Sequence, residues 1–400
     1  MQFKPSVGDT DAEEKGLKIT AVVIANYYAA LYASVAVILT FFPLWIQRRG
    51  LTAPQIGTIL AIGHLVKAVS IPLSSHVASR LGGEKRFALF TIALTLAATS
   101  TYLWTSDFTT VFAAYVVVTA FSCNIMPLGE SLVLPIIKRR GYDYGSLRRW
   151  GSISVIFVSI AAGAVVDLFP IDSVICMLLL SYAVLFVSVL PLPVVPASHG
   201  QQTTAPLLSV LRTPGFMLFL CSAATSQAAH GFFYGYATIY WLSGGISGQS
   251  AGLLWAAGVA SEVVVFSYGR RFAAKWPPEK TIAIACLIGV ARWSLLASSG
   301  GIGTAIIVQL LQGGTLALTQ MGVANYLNQH IPGQLIAAAT GLYSWCAYSV
   351  FMAVSVYVAG RFYNELHGGI FALAAAACCC AAICAYALIG QIRLESRHVV

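Results

Sequence analysis

Long apolar runs separated by short polar segments cover most of the chain. Twelve runs stand out, at residues 20–47, 55–79, 86–106, 108–136, 150–168, 172–191, 215–242, 250–273, 280–299, 302–327, 337–360 and 368–390. A helix needs about 20 mostly apolar residues to cross a bilayer, and each run is close to or above that length. Apolar residues fill the runs instead of marking one stripe, which is the pattern of helices in lipid. Runs three and four are divided only by "TSDF", and runs nine and ten by a glycine-rich turn, so the count rests on those two turns. The longest interior polar stretch, "PASHGQQTTAPLLSVLRTP", leaves six runs on either side. The expected fold is an all-α membrane protein, with twelve transmembrane helices in two pseudo-symmetric six-helix bundles. Its parts would be a cytoplasmic tail (1–19), a first bundle (20–195), a cytoplasmic linker (196–213), a second bundle (214–392) and a C-terminal tail (393–400).

Composition agrees. Of the 400 residues 58% are hydrophobic and 9% charged, and mean hydropathy is +0.80; soluble domains carry about 25% charged residues. The net charge of +9 is spread over the segments between runs, with no basic stripe interleaved with aromatics, which argues against nucleic acid as a partner and for anionic lipid. If the N-terminus is inside, eighteen of the 23 lysines and arginines fall on the inner side. Arg48, Arg49 and Arg361 fall outside, and Lys67 and Arg292 lie within runs. Positive charge stays on the cytoplasmic side, so both termini are expected in the cytoplasm of a bacterial-type inner (plasma) membrane. The opening residues are polar and acidic, unlike a secretory signal. The nine cysteines sit in apolar runs, without zinc-type spacing or a disulfide framework. No P-loop, nucleophile elbow or H-E-x-x-H motif appears. The reading is therefore not an enzyme, with no cofactor and no metal, working as a monomer.

The halves repeat. An offset of 195 places Gly50 on Gly245, Thr52 on Ser247, Gly57 on Gly252, Gly63 on Gly258 and Trp150 on Trp345. Small residues alone are a cheap coincidence in membrane helices, but these keep one register. The same offset places Lys67 on Glu262, a cation and an anion at matching depth. A charge at bilayer depth costs roughly 2.5–3.5 kcal/mol on insertion scales, which makes intramembrane ionisable residues functional candidates. The two are expected to face one cavity, either as a static bridge locking the halves or as charges rearranged during transport.

Other candidates follow from depth and spacing. Arg292 lies 12 residues from Lys280, or ~18 Å deep at 1.5 Å per residue, and Glu262 is its expected partner. Glu130 lies two turns from Lys138, where Arg148 or Arg149 would reach it, either as a cytoplasmic gate or as a substrate or proton site. Gln227, His230, Tyr234, Thr238 and Trp241 share a polar-aromatic helical face, suited to orienting a small ligand or, equally, to packing. His64 precedes Lys67 by one turn; Asn124, Gln320 and Asn325 are weaker, and Tyr27, Tyr28 and Tyr32 are further lining candidates. Lys67, Arg292, Glu130 and Glu262 balance when all are ionised, and protonating one carboxylate leaves a positive cavity suited to an anion. Apolar burial favours a protonated carboxyl and a nearby cation an ionised one, so Glu262 cycling between the two settings would carry a proton. The proton-coupling set is then Glu262, Glu130 and Arg292. The substrate set is Lys67, His64, His230, Tyr234, Gln227, Trp241, Arg292 and Asn124, and the gate set is Glu130, Arg148 and Arg149.

The duplicated twelve-helix pattern resembles the major facilitator superfamily. In "SRLGGEKR", Arg80, Gly82, Lys85 and Arg86 are similar to that family's basic loop motif, with Ser79 where the motif usually has Asp. "DYGSLRRWGSISV", "QAAHGFFYGYATIYW", "GLLWAAGVASEVVVF" and "GVARW" resemble the 3-phenylpropionate permease group. There is a fainter likeness to lactose permease, whose helix-eight Glu and helix-nine Arg are matched by Glu262 and Arg292, while its helix-ten His and Glu have no counterpart here. The resemblance implies a proton-coupled importer of a small organic solute and leaves aromatic acids, sugars and nucleosides open as its substrate; with the embedded cations, an aromatic carboxylate is favoured. A proton-driven exporter on the same scaffold, and a non-transporting membrane receptor or enzyme, are the alternatives.

Overall fold

The computed structural model describes residues 7–80, 83–193, 207–273 and 275–398. Residues 1–6, 81–82, 196–206 and 399–400 of the expected tails, basic loop and linker lie outside them. The described residues form α1 (Val7–Arg48), α2 (Ala53–Arg80), α3 (Glu84–Ser100), α4 (Phe108–Ser122), α5 (Ile125–Arg140), α6 (Tyr144–Leu168) and α7 (Ser173–Val189). After the linker come α8 (Leu207–Leu211), α9 (Phe216–Ala228), α10 (His230–Ser243), α11 (Gly248–Ala273), α12 (Pro278–Ser298), α13 (Ile302–Leu310), α14 (Gln312–His330), α15 (Ile336–Trp345), α16 (Phe351–Leu366) and α17 (Ile370–His398). Three pairs, α4–α5, α9–α10 and α13–α14, abut and act as single broken spans. A π-helical turn, Cys346–Val350, joins α15 to α16. With α8 set aside as a short linker helix, the spans number twelve among the described residues. Residues 7–19, expected as a solvated tail, are already helical and continuous with the first span.

Local chemistry marks the ends. Asp107 caps α4 by accepting from the Thr110 hydroxyl and N–H, and these bonds hold its carboxyl below the usual range. Asp143 caps α6 through the N–H of Ser146. After the basic end of α5, Gly141 takes φ +67°, the left-handed exit that glycine adopts without strain. Gly50 and Gly245, equivalent under the repeat, have φ values of 88° and 86°. The duplication is thus visible in backbone geometry as well as in sequence.

The halves meet at the face away from the termini. α6 packs along α11, α2 along α16, and α1 against α10. Glycines permit this. A Cβ on Gly57 would lie 2.8 Å from the Cα of Gly360, and one on Gly252 would strike the carbonyl of Ser159. Thr238 donates to the Thr40 carbonyl (2.6 Å), Tyr236 to that of Ala53 (2.9 Å), and Asp167 accepts the N–H groups of Gly248 (2.7 Å) and Gln249 (2.8 Å). Among the described residues, α3 and α5 of the first half and α9, α14 and α15 of the second take no substantial part in contacts between the halves. The two bundles are joined on one face and part toward the terminal face.

Candidate functional site

The breaks in the spans position the polar residues. On the second half, α13 stops at Leu310 and α14 begins at Gln312. Gln309, Gln312 and Thr315 therefore converge on Arg292 of α12. The guanidinium is fully buried and donates to the Val308 carbonyl (Nε, 2.9 Å), Thr315 Oγ1 (Nη1, 2.9 Å), Gln312 Oε1 (Nη2, 2.7 Å) and Gln309 Oε1 (Nη2, 3.3 Å). Trp293 and Phe233 lie against it at 4.2 and 5.0 Å from their ring centroids. From the other end of Gln312, Nε2 donates to Glu262 Oε1 at 2.6 Å. The expected direct pair of Arg292 with Glu262 is corrected: no ion-pair contact joins them, and a neutral amide stands between, polarised by both. Glu262 on α11 is half-buried.

The line continues to His230, at the start of α10. Its Nδ1 faces the Gln227 carbonyl at 3.1 Å, so Nδ1 carries a proton. Its Nε2 faces Thr315 Oγ1 at 3.1 Å, and that hydroxyl also lies 3.0 Å from the Gln312 carbonyl. One hydroxyl proton cannot serve both. A neutral imidazole takes it at Nε2; an imidazolium donates instead and releases it to the carbonyl. Tyr234 stacks on Trp255, lies tilted against His230, and is near both Glu262 and Arg292.

On the first half, Glu130 of α5 accepts from Tyr28 (3.0 Å) and Tyr144 (3.3 Å), with Arg148 Nε 3.9 Å away. Arg148 also donates to the Tyr32 hydroxyl and lies over that ring. Arg149 is exposed, and no ion pair holds it among the described residues. Arg148 thus reaches Glu130 as expected, and in this conformation the contact lies within the first half, where α5 and α6, which carry the two residues, both pack on α1.

Lys67 lies on the α2 face turned to the fourth span. Gly63, one turn earlier, admits Tyr115 there, and Lys67 comes beside Cys123. The ammonium is half-buried, with no hydrogen bond or ion pair among the described residues. His64 donates from Nδ1 to the Tyr348 carbonyl, in the π-turn of the other half, at 2.9 Å. The expected encounter of Lys67 with Glu262 is absent, since each charge looks first to its own half. A shared offset matches depth but not azimuth.

Three candidates stand back from the cleft. Trp241 is fully buried against Phe233 and Trp255. Gln227 is 2% exposed with Oε1 unpartnered, and Asn124 spends Nδ2 on the Ala120 carbonyl (2.7 Å) at the kink of the fourth span. Sequence reasoning missed Gln309, Gln312 and Thr315, although their three-residue spacing in "QLLQGGT" marks one helical face.

The MFS_1 like family model matches residues 22–374. The chain is 26% identical over 356 residues to the probable 3-phenylpropionic acid transporter of Escherichia coli (strain K12), covering 87% of this chain and 92% of that protein. It is 24% identical over 338 residues to the maltose permease of Geobacillus stearothermophilus, covering 82% and 84%. Its fold is similar to that of the nucleoside transporter NupG, with a TM-score of 0.76 at 13% identity over 94% of this chain and 99% of that one. A point mutant of NupG gives 0.80 at 12% identity over the same shares. A bacterial homologue of the lysosomal transporter Spinster, inward-facing and occupied, gives 0.69 at 11% identity over 95% and 97%. With a family model spanning nearly the whole of both bundles, the chain belongs to the MFS_1 like family and is an integral membrane transporter of the major facilitator fold.

Proposed function

We propose that this transporter imports a small organic acid, an aromatic carboxylate favoured, together with a proton, by alternating access. The observation that carries the reading is the line from Glu262 through Gln312 to Arg292, Thr315 and His230. At one end is a half-buried carboxylate; at the other is a cation sealed in protein. Ionised Glu262 accepts from Gln312, whose own carbonyl is held by Arg292, so the cation acts on the carboxylate through a polarised amide. Protonating Glu262 weakens that grip and releases the side chain toward the cleft. Substrate class is supported by the first relative's name, by Lys67, and by the tyrosines on both walls. With the termini in the cytoplasm, as lysine and arginine placement argues, the parting of the halves opens inward. Glu130 and Arg148 remain a second candidate for proton or substrate contact.

Reconstituted protein tests this. An inward proton gradient should drive uphill accumulation of 3-phenylpropionate in proteoliposomes. Glu262→Gln should abolish that accumulation and leave equilibrium exchange within about threefold. Accumulation indifferent to the gradient, or confined to inside-out vesicles, would overturn coupling or direction respectively.

A further inference from the structure

The charges embedded in the spans do not cancel. On the first half Arg148 faces Glu130 at 3.9 Å. On the second, Arg292 and Glu262 share Gln312. Lys67 alone among these has no acidic partner within the described residues, and the groups beside it, Cys123 and His64, bear no negative charge to offer. The site with every carboxylate ionised is therefore one positive charge in excess, not neutral as four charges suggested.

The cations also differ in what they can hold. Arg292 is fully buried, its N–H groups committed to four acceptors and its guanidinium packed against Trp293 and Phe233. A substrate cannot reach it without dismantling the second half. Arg148 is engaged by Tyr32 and Glu130. His64 has given its Nδ1–H to the Tyr348 carbonyl, which leaves an acceptor nitrogen on the neutral ring. The ammonium of Lys67 keeps its donors free. It lies one turn past that same His64–Tyr348 bond, on the side where the bundles separate, and a half-buried ammonium there gains most from a counter-ion that brings its own carboxylate.

Resting on the transport reading above, we propose that Lys67 anchors the substrate's negative charge, that the transported species is a monoanion, and that Arg292 makes no contact with it. The test uses the full-length protein in nanodiscs and two probes of one shape: 3-phenylpropionate, and 3-phenylpropanamide, which lacks the charge. Binding is measured by calorimetry at neutral pH. Wild type should prefer the carboxylate at least tenfold. Lys67→Met should lose that preference by weakening the carboxylate at least tenfold while the amide stays within twofold. Lys67→Arg should keep the preference within threefold, so a folded, charge-retaining variant stands beside the neutral one. Undiminished preference in Lys67→Met, or none in the wild type, would overturn the anchor and leave the transport reading in place. Binding of neither probe to the wild type would overturn the aromatic-acid reading and the anchor with it.

Discussion

Truncating Arg292 strands four acceptors at once, whereas truncating Lys67 strands none. Hydrogen bonds between membrane helices average about 0.6 kcal/mol, with a ceiling near 1.7. Arg292→Met should therefore lower stability by about 2 kcal/mol, through the orphaned Val308 carbonyl, Thr315, Gln309 and Gln312. Lys67→Met should be neutral or stabilising, because it removes an unpaired charge and no bond. Thermal unfolding in detergent checks the contrast, and equal losses would contradict the division between a structural and an available cation. The neighbouring arginines should divide likewise. Arg148→Ala breaks contacts to Tyr32 and Glu130, while Arg149→Ala on an exposed site should stay within about 0.5 kcal/mol of wild type.

At the scale of helices, the joined face owes its closure to a crossing that begins at the N-terminus of α11. There the Asp167 carboxylate, at the end of α6, accepts two N–H groups from the other half. A carboxylate at a helix N-terminus is stabilising by about 0.3–1 kcal/mol, and by up to ~2 kcal/mol when partly buried. Asparagine keeps one acceptor and loses the charge. Asp167→Asn should thus cost the closed arrangement about 1 kcal/mol, a roughly fivefold shift in the ratio of closed to open forms. A cysteine placed at Ile56, which lines the small cavity of that face and is 1% exposed, reports it: maleimide labelling from that side should rise by a similar factor. Gly252→Val should act in the same direction more strongly, since its side chain would meet the Ser159 backbone, which has no rotamer to move. Unchanged labelling in both variants would mean that these contacts do not hold the face shut.

At the scale of the whole molecule, what could be read from sequence divides by physics. Twelve runs were visible because the requirement for apolar length accumulates residue by residue. The duplication was visible because Gly57 and Gly252 both occupy crossings that tolerate no side chain. Lys67, Glu262, Glu130 and Arg292 were visible because each is expensive in lipid. The breaks at Ala229 and Leu311 were not, since alanine and leucine favour helix locally and only packing interrupts them. Gln312 escaped notice for the complementary reason: a neutral amide costs little enough to pass as filler, and its bridging role exists only once α12 and α14 are side by side. The pairing of Lys67 with Glu262 failed because periodicity fixes height along a helix and leaves direction around it to neighbours.

If the bundles rock about the site, the joined face must open once per cycle, and the Asp167 clamp must break each time. The Asp167 carboxylate accepts the Gln249 N–H at 2.8 Å, which brings two positions of opposite halves together for a cross-link; a disulfide joins Cα atoms about 4.4–6.8 Å apart. In a background with the nine native cysteines replaced, Asp167→Cys with Gln249→Cys should cross-link on mild oxidation, stop net uptake, and recover it on reduction. Binding of substrate from the terminal face should survive the cross-link, because Lys67 lies on the open side of the His64–Tyr348 contact. Full transport through the oxidised protein would show that the halves need not separate there, and alternating access as described would fall with that result.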